Sequence, residues 1–238
     1  MQEKYNDIRE YSFLFFRIIG FTAIIIAPLS LLSTMLFHGL PFLMSISEGA
    51  TIINRVSMIL PGCIGIISAF TLMQMKFFAY NKLEKTLVVC MVIGFLVVAV
   101  QPCSSPYIEE YGTVGLLLLS MYWSNIIHTM GAVIGFGAMI FWILFYFAKG
   151  DKMAGKQTYI QGKRDAWYGA MGFAMTIMLA LFILDFLVDH EIEYPIVFIT
   201  EFFMLTFGGV ACLIRGRLFI KDKGQTEDEI NIAEGSVR

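Results

Sequence analysis

Charged residues are scarce in this sequence, and they are almost absent from six long stretches. Only 15% of the 238 residues are charged and 58% are hydrophobic, whereas a soluble domain is about 25% charged. A helix needs about 20 mostly apolar residues to cross a bilayer. Six such stretches use most of the chain, so we expect no separate soluble domain.

Cysteine is too sparse and too scattered for a disulfide framework or a thiol redox centre. The four cysteines, Cys63, Cys90, Cys103 and Cys212, form no CxxC motif. Three of them fall within apolar stretches, where a buried thiol behaves as a small hydrophobic group. Basic residues are divided among short loops without a continuous basic face, so we also expect no nucleic-acid partner.

The six apolar stretches predict an all-α fold, because backbone groups in lipid must be hydrogen-bonded within their own segment. We expect one six-helix transmembrane domain over residues 1–220 and an acidic, disordered tail at 221–238. The predicted helices are at about 12–37, 53–75, 85–103, 121–148, 166–188 and 195–216. Residues 113–120 are predicted to lie at the outer surface, since a single helix over 113–148 would greatly exceed a hydrocarbon core of about 30 Å.

Positive charge predicts the orientation of the chain in the membrane. Of the 17 Lys and Arg residues, all but Arg55 lie at the start of helix 1, in the helix 2–3 and 4–5 loops, or after helix 6. Cytoplasmic loops carry the excess of Lys and Arg. We therefore expect a multi-pass protein of the cell membrane with both termini in the cytoplasm.

This orientation places the histidines and the deep acids in the outer half of the membrane. His128 lies about 7–8 Å below the interfacial Trp123, and Glu201 is about 9 Å deep. Asp185 lies about one turn from the outer end of helix 5. A charge at such depth costs a few kcal/mol, so we expect these residues to face each other or a wet cavity. A polar cluster that only holds helices 4, 5 and 6 together is the alternative.

Further polar residues are predicted at the same level. Asn125 lies one turn above His128. Ser47 and Glu48 belong to the apolar loop between helices 1 and 2, and Arg55 can pair with an acid or bind a lipid phosphate. The candidate pocket therefore comprises His128, Glu201, Asp185, Arg55, Ser47, Asn125 and Glu48.

The three histidines, His38, His128 and His190, are candidates for a zinc site together with the outer acids. The sequence contains neither HxH nor HxxxH. We therefore expect no cofactor and keep zinc as a minor alternative.

The predicted pocket favours binding of a lipid headgroup or a small amphiphile, with membrane lipids as partners. A membrane-embedded hydrolase of a lipid ester or amide is the alternative. In it His128 with a carboxylate, or zinc, would activate water, and Ser47 would polarise the substrate or attack it. A transporter or proton relay is a third hypothesis, although helices 4–6 are apolar further inward.

Four motifs carry a family resemblance, and they are the Leu40–Glu48 loop, His128–Gly131, Gly162–Arg164, and Glu201 with Gly208–Gly209 and Arg215–Gly216. Over about residues 12–216 the chain resembles the bacterial and archaeal six-helix family catalogued as domain of unknown function 998. It is similar, more faintly, to the eukaryotic DRAM/Frag/Sfk family. The resemblance implies the six-helix topology and a prokaryotic plasma membrane, points to the same polar residues, and supplies no reaction. The longer acidic helix 3–4 loop and the charged tail depart from the family pattern.

Overall fold

The computed structural model describes residues 2–38, 46, 62–69, 82–103, 114–147, 159–188 and 195–220. Within these ranges the chain is helical, apart from short turns and one isolated β-bridge between Val114 and Leu119. We number the helices α1 (Gln2–His38), α2 (62–69), α3 (Lys82–Val100), α4 (Met121–Trp142), α5 (Tyr159–Leu187) and α6 (Ile196–Arg215). A π-helical turn, Ile143–Phe147, continues α4.

Five of these helices are long and apolar enough to cross a membrane. Their apolar spans are 19 to 28 residues long and have a mean hydropathy of 2.0 to 2.3. The remaining predicted crossing, at about 53–75, is described only at 62–69, where the chain is helical. The all-helical fold is therefore confirmed, and its spans are those of a multi-pass membrane protein.

Several observed helix ends differ from the predicted ones, because polar residues continue the helices. The predicted helices 1 and 5 began at the first apolar residues, but α1 starts at Gln2 and α5 at Tyr159. Lys and Arg, such as Lys163 and Arg164 in α5, are good helix formers. α3 ends just before Pro102, since a proline disfavours the helical conformation of the residue that precedes it. The predicted tail at 221–238 lies outside the described residues.

Two helix pairs pack with their backbones in close contact. A Cβ atom added to Gly20 of α1 would lie 2.7 Å from the carbonyl oxygen of Gly209 in α6. A Cβ atom added to Gly94 of α3 would lie 2.5 Å from the amide nitrogen of Gly135 and 2.6 Å from the carbonyl oxygen of Gly131, both in α4. Small residues permit this close approach of membrane helices. These glycines therefore set the distance between the paired helices.

Hydrogen bonds between distant segments mark one end of the bundle. Arg17 donates from Nε to the carbonyl of Gly216 at 2.6 Å and so joins the first part of α1 to the end of α6. Trp142 donates from Nε1 to Oε1 of Glu84 at 2.9 Å and joins the end of α4 to the start of α3. We call this the basic end, since Arg17, Arg164, Arg215 and Arg217 lie there. We call the opposite end, where α3 ends and α4 begins with His128 in its first turns, the histidine end.

Buried aromatic rings fill the basic end. Phe16, Trp142, Phe147 and Tyr168 are at most 2% exposed, and the centroids of neighbouring rings are 5.0 to 5.6 Å apart. Arg215 donates from Nη1 to the Phe147 carbonyl at 2.7 Å, and its guanidinium lies 5.8 Å from the Phe16 and Phe147 ring centroids. Desolvation strengthens such cation–π contacts. The charge at the end of α6 is therefore part of the core.

Candidate functional site

His128 lies on α4 near the histidine end and is buried. Its Nδ1 atom is 2.6 Å from the backbone carbonyl oxygen of Gln101, just beyond α3. A carbonyl oxygen can only accept a hydrogen bond, so Nδ1 carries the proton. The imidazole thus joins α4 to the segment that follows α3.

The Gln101 side chain organises the whole histidine end of α3 and α4. It is fully buried, and its Nε2 donates to Oγ of Ser124 at 2.9 Å and to the carbonyl of Val114 at 3.1 Å. Its Oε1 accepts from the amide of Leu117 at 3.3 Å. These bonds satisfy both kinds of polar group on a buried amide. We call Gln101, Ser124, His128 and the 114–119 turn the glutamine cap.

The turn at 114–119 depends on a glycine beside Gln101. Gly115 has a φ of +72°, and a Cβ atom there would lie 2.5 Å from Oε1 of Gln101. A residue with a side chain would be strained by both the backbone conformation and the contact. The apolar segment predicted at the outer surface is therefore a tight turn packed on the Gln101 side chain.

Glu201 lies on α6 and is also buried. Its Oε2 accepts a hydrogen bond from the backbone amide of Ile46 at 2.7 Å. The carbonyl of the same residue, Ile46, accepts a bond from Oγ of Ser30 in α1 at 3.2 Å. One residue between helices 1 and 2 is thus held on both sides, by α1 and by α6.

Glu201 also lines an apolar cavity between α1, α2, α3, α4 and α6. The cavity has a volume of about 200 Å³. Its walls include Ile19, Ile26, Met91, Phe95, Phe136 and Met139. Among the lining residues that the structure describes, Glu201 alone has a charged side chain. We call this space the Glu201 cavity.

The glutamine cap lies above the Glu201 cavity along two helices. Ala132 and Phe136 line the cavity and follow His128 on α4 at intervals of four residues, which places all three on one face of the helix. On α3 the lining residue Val98 precedes Gln101 by one turn. The contact between His128 and Gln101 therefore covers the cavity toward the histidine end.

The other predicted pocket residues are placed less closely around this space. Asn125 on α4 and Asp185 on α5 are partly buried, and neither is among the described residues that line the Glu201 cavity. Asp185 lies beside Ile183 and Phe186, which border a separate apolar groove between α4 and α5. Four other predicted site residues, Arg55, Ser47, Glu48 and His190, and the side chain of His38, lie outside the described residues.

The zinc site predicted as an alternative receives no ligand set from the described part of the chain. There, no group of three or more His, Cys, Asp or Glu side chains lies close enough to hold a metal ion. Because His190 and the His38 side chain are outside that part, the zinc alternative stays a prediction.

Sequence reasoning missed two sets of buried polar residues. Gln101 is not among the predicted pocket residues, although Ser124 and His128 follow each other at helical spacing and offer it one polar face. At the basic end, Arg164 and Arg215 are buried although they were assigned to cytoplasmic segments. The burial of these two arginines could have been inferred from the nearby aromatic residues, which are Trp167, Tyr168 and Phe147.

The arrangement separates two roles at the histidine end. His128 is held in the glutamine cap, whereas Glu201 is part of the wall of a cavity of about 200 Å³. A carboxylate in apolar surroundings accepts hydrogen bonds and attracts donors or cations. Compared with models of known protein families, with curated proteins and with solved structures, the chain shows no match.

Proposed function

We propose that this chain is a six-span protein of the cell membrane that binds a membrane amphiphile in the Glu201 cavity. Both termini lie in the cytoplasm in this proposal, since all Lys and Arg residues except Arg55 fall in segments of one side. The helical residues 62–69 belong to the second of the six spans. The histidine end then faces outward, as the sequence predicts.

The observation that carries the proposal is a carboxyl in the wall of an apolar intramembrane cavity. Ionisable residues within membrane spans are costly to bury and commonly mark a functional site. Ligand sites in general combine apolar walls with a small number of polar groups that orient the ligand. The Glu201 cavity has this composition, with Glu201 as the ionisable residue among its described lining residues.

In this proposal His128 has a positioning role instead of a direct contact with the ligand. The His128 imidazole fixes the carbonyl of Gln101, and Gln101 holds the 114–119 turn over the cavity. Asn125, Asp185, Arg55, Ser47 and Glu48 remain proposed members of the wider outward pocket. The amphiphile places its chain in the cavity and its head group beside Glu201.

Identification of copurified lipids tests the proposal. The full-length protein is isolated in a mild detergent, and bound amphiphiles are extracted and compared with the total membrane lipid by mass spectrometry. We expect one amphiphile class to be enriched in the wild-type protein and lost from Glu201→Leu. Thr176→Val is the matched control, because Thr176 is a polar residue of α5 whose hydroxyl bonds its own helix at the Gly172 carbonyl. Equal lipid profiles for wild type and Glu201→Leu would contradict the proposal.

A further inference from the structure

We propose that the Glu201 cavity receives the methyl end of one hydrocarbon chain, inserted end first from the bilayer over a length of about eight carbons. Chains that carry a polar group in this terminal segment are excluded. This inference rests on the proposed function and names the part of the amphiphile that the cavity recognises. It follows from the two ends of the cavity, from its size and from its walls.

The described residues close the cavity toward the basic end with buried apolar side chains. Along the chain, Ile19 is the first lining residue of α1, Met91 is the first of α3, and Met139 is the last of α4. These positions lie on the side of the basic end, where α1 and α3 begin and α4 ends. Ala69 of α2 belongs to the same buried cluster, and all four residues are at most 6% exposed. We call Ile19, Ala69, Met91 and Met139 the floor.

The cavity opens on the surface of the bundle at its other end. Cys63 of α2 and Ala99 of α3 line the cavity, and both are exposed. Gly62 also lines it and has open space at its Cβ position. Ala99 comes shortly before Gln101 and belongs to the apolar span Lys82–Val100. This mouth therefore lies beside the glutamine cap and faces the lipid chains, and a ligand enters it sideways from within the membrane.

The dimensions fit one chain lying along the helices. The lining residues of α3 extend from Met91 at the floor to Ala99 at the mouth, which is about 12 Å. An apolar cavity of about 150 Å³ holds the carbons of one benzene molecule. In proportion, the Glu201 cavity of about 200 Å³ holds about eight carbons. It is thus filled by the end of one chain and has no room for two chains side by side.

Filling the cavity is the driving force for insertion. An alkyl chain gains little from the transfer itself, since lipid and apolar side chains are equally apolar. A void between side chains, however, lacks the dispersion contacts that a close-packed interior provides. A chain end that reaches the floor restores these contacts, and a shorter segment leaves part of the void empty.

The floor excludes a polar chain end. Its side chains are apolar, so a hydroxyl group placed there would lose its hydrogen bonds to water or to lipid head groups without replacement by the described floor residues. The nearest polar wall residue on α1, Thr22, directs its hydroxyl to the carbonyls of Ile18 and Ile19 at 3.0 Å each. This exclusion depends on the floor alone and holds for either protonation state of Glu201.

Positional photo-crosslinking with myristoyl glycerol tests the insertion. The end probe carries a diazirine next to the methyl end, and the middle probe carries it about eight carbons from the methyl end. The hydroxyl probe is the end probe with a hydroxyl group on its last carbon. Each probe is added at equal mole fraction to the full-length protein in phosphatidylcholine nanodiscs, and crosslinks are located by peptide mass spectrometry. Phe141, which is 56% exposed and close to Met139 on α4, gives the background from lipid at the depth of the floor.

We expect the end probe to label Met91 and Met139 about fivefold more than Phe141, since the chain end is held in contact with the floor. The middle probe should label the mouth residues Cys63 and Ala99 instead. The hydroxyl probe should label the floor about tenfold less than the end probe, because its hydroxyl group has no hydrogen-bond partner there.

Two variants change the cavity at opposite ends. Ala69→Leu fills the floor, so labelling of Met91 and Met139 by the end probe should fall to background while labelling at the mouth persists. Ala99→Trp fills the mouth and should remove floor labelling by every probe. Ala170→Leu is the matched control for Ala69→Leu, because Ala170 is an exposed residue of α5 that does not line the cavity.

Two kinds of result would overturn the inference, and they are distinguishable. Equal labelling of floor and mouth by the end and middle probes, or equal floor labelling by the end and hydroxyl probes, would reject end-first insertion while cavity binding stands. Labelling of all lining residues at the Phe141 background, or labelling that neither Ala69→Leu nor Ala99→Trp changes, would reject the proposed binding function together with the inference.

Discussion

Glu201 of α6 accepts a hydrogen bond from the backbone amide of Ile46 across 155 positions of sequence. Ser30 of α1 bonds the carbonyl of the same residue. Three parts of the chain that are distant in sequence meet at this one residue, beside the wall of the Glu201 cavity. The contact therefore contributes both to the fold and to the proposed site, and variants can separate the two contributions.

Glu201→Leu should destabilise the protein more than Glu201→Gln. Leucine leaves the buried Ile46 amide without its acceptor, which costs about 1–3 kcal/mol, whereas glutamine retains an acceptor oxygen. Thermal unfolding of the purified variants in one detergent measures the difference. Thr176→Val provides the control, and an equal loss for both Glu201 variants would show that the bond to Ile46 is unimportant for stability.

Gln101→Leu should release the turn at 114–119. The substitution removes one hydrogen bond each from Ser124, the Val114 carbonyl and the Leu117 amide in one step. We expect a loss of about 2 kcal/mol or more, with faster amide hydrogen exchange at 114–119. Ser120→Ala is the matched control, since Ser120 caps α4 without a side-chain hydrogen bond. Unchanged exchange in Gln101→Leu would contradict the role of the cap.

Gly94→Ala and Gly137→Ala should have opposite effects on stability. The new methyl group at Gly94 would meet the α4 backbone, so the two helices must separate, at about 1–3 kcal/mol. Gly137 lies within α4 with open space at its Cβ position. Alanine there should stabilise the helix by about 0.5–1 kcal/mol. Unfolding temperatures measure both changes, and a neutral Gly94→Ala would show that α3 and α4 are not in close contact.

Arg215→Leu should be far more damaging than Lys85→Leu. Arg215 is buried, bonds the Phe147 carbonyl and attracts Glu84, whereas Lys85 is exposed at the start of α3. Leucine leaves the Phe147 carbonyl without this donor and loses the contacts with the Phe16 and Phe147 rings, which costs about 1–3 kcal/mol. The yield of folded protein and its unfolding temperature report the loss. Similar behaviour of the two variants would place Arg215 outside the core.

The proposed topology predicts that the connection at 148–158 and the connection at 104–113 lie on opposite sides of the membrane. Reporter domains that are active on one side only, fused within each connection, measure this directly. We expect cytoplasmic activity for 148–158 and outward activity for 104–113. A reporter placed outside the cell by the 148–158 fusion would overturn the orientation and the outward position of the histidine end.

Apolar length and helical spacing were sufficient to predict the helices themselves. The start of α6 at Ile196 and of α4 at Met121 lie at or beside the ends of clear apolar runs. The start of α5 at Tyr159 was missed because a helix that leaves the hydrocarbon is continued by polar residues with good helix propensity. Hydropathy therefore locates spans better than it locates helix ends.

The site was harder to predict than the helices, because it depends on which helices are neighbours. Sequence depth indicated that His128 and Glu201 lie at similar levels, but depth does not specify rotation about a helix axis or the partner across the interface. The glutamine cap requires α3 beside α4, and the Glu201 cavity requires five helices around one space. The periodicity of a single helix does not show which helices are its neighbours, so it predicts neither the glutamine cap nor the cavity.

The contact between Gly20 and Gly209 has a consequence for biosynthesis. α1 packs against α6 backbone to backbone, so its glycine surface has no final neighbour until α6, which is synthesised later, has been inserted. Insertion of the early spans and completion of the bundle by α6 are thus separate events in time. Until α6 arrives, surrounding lipid or an assisting protein must occupy the place beside α1.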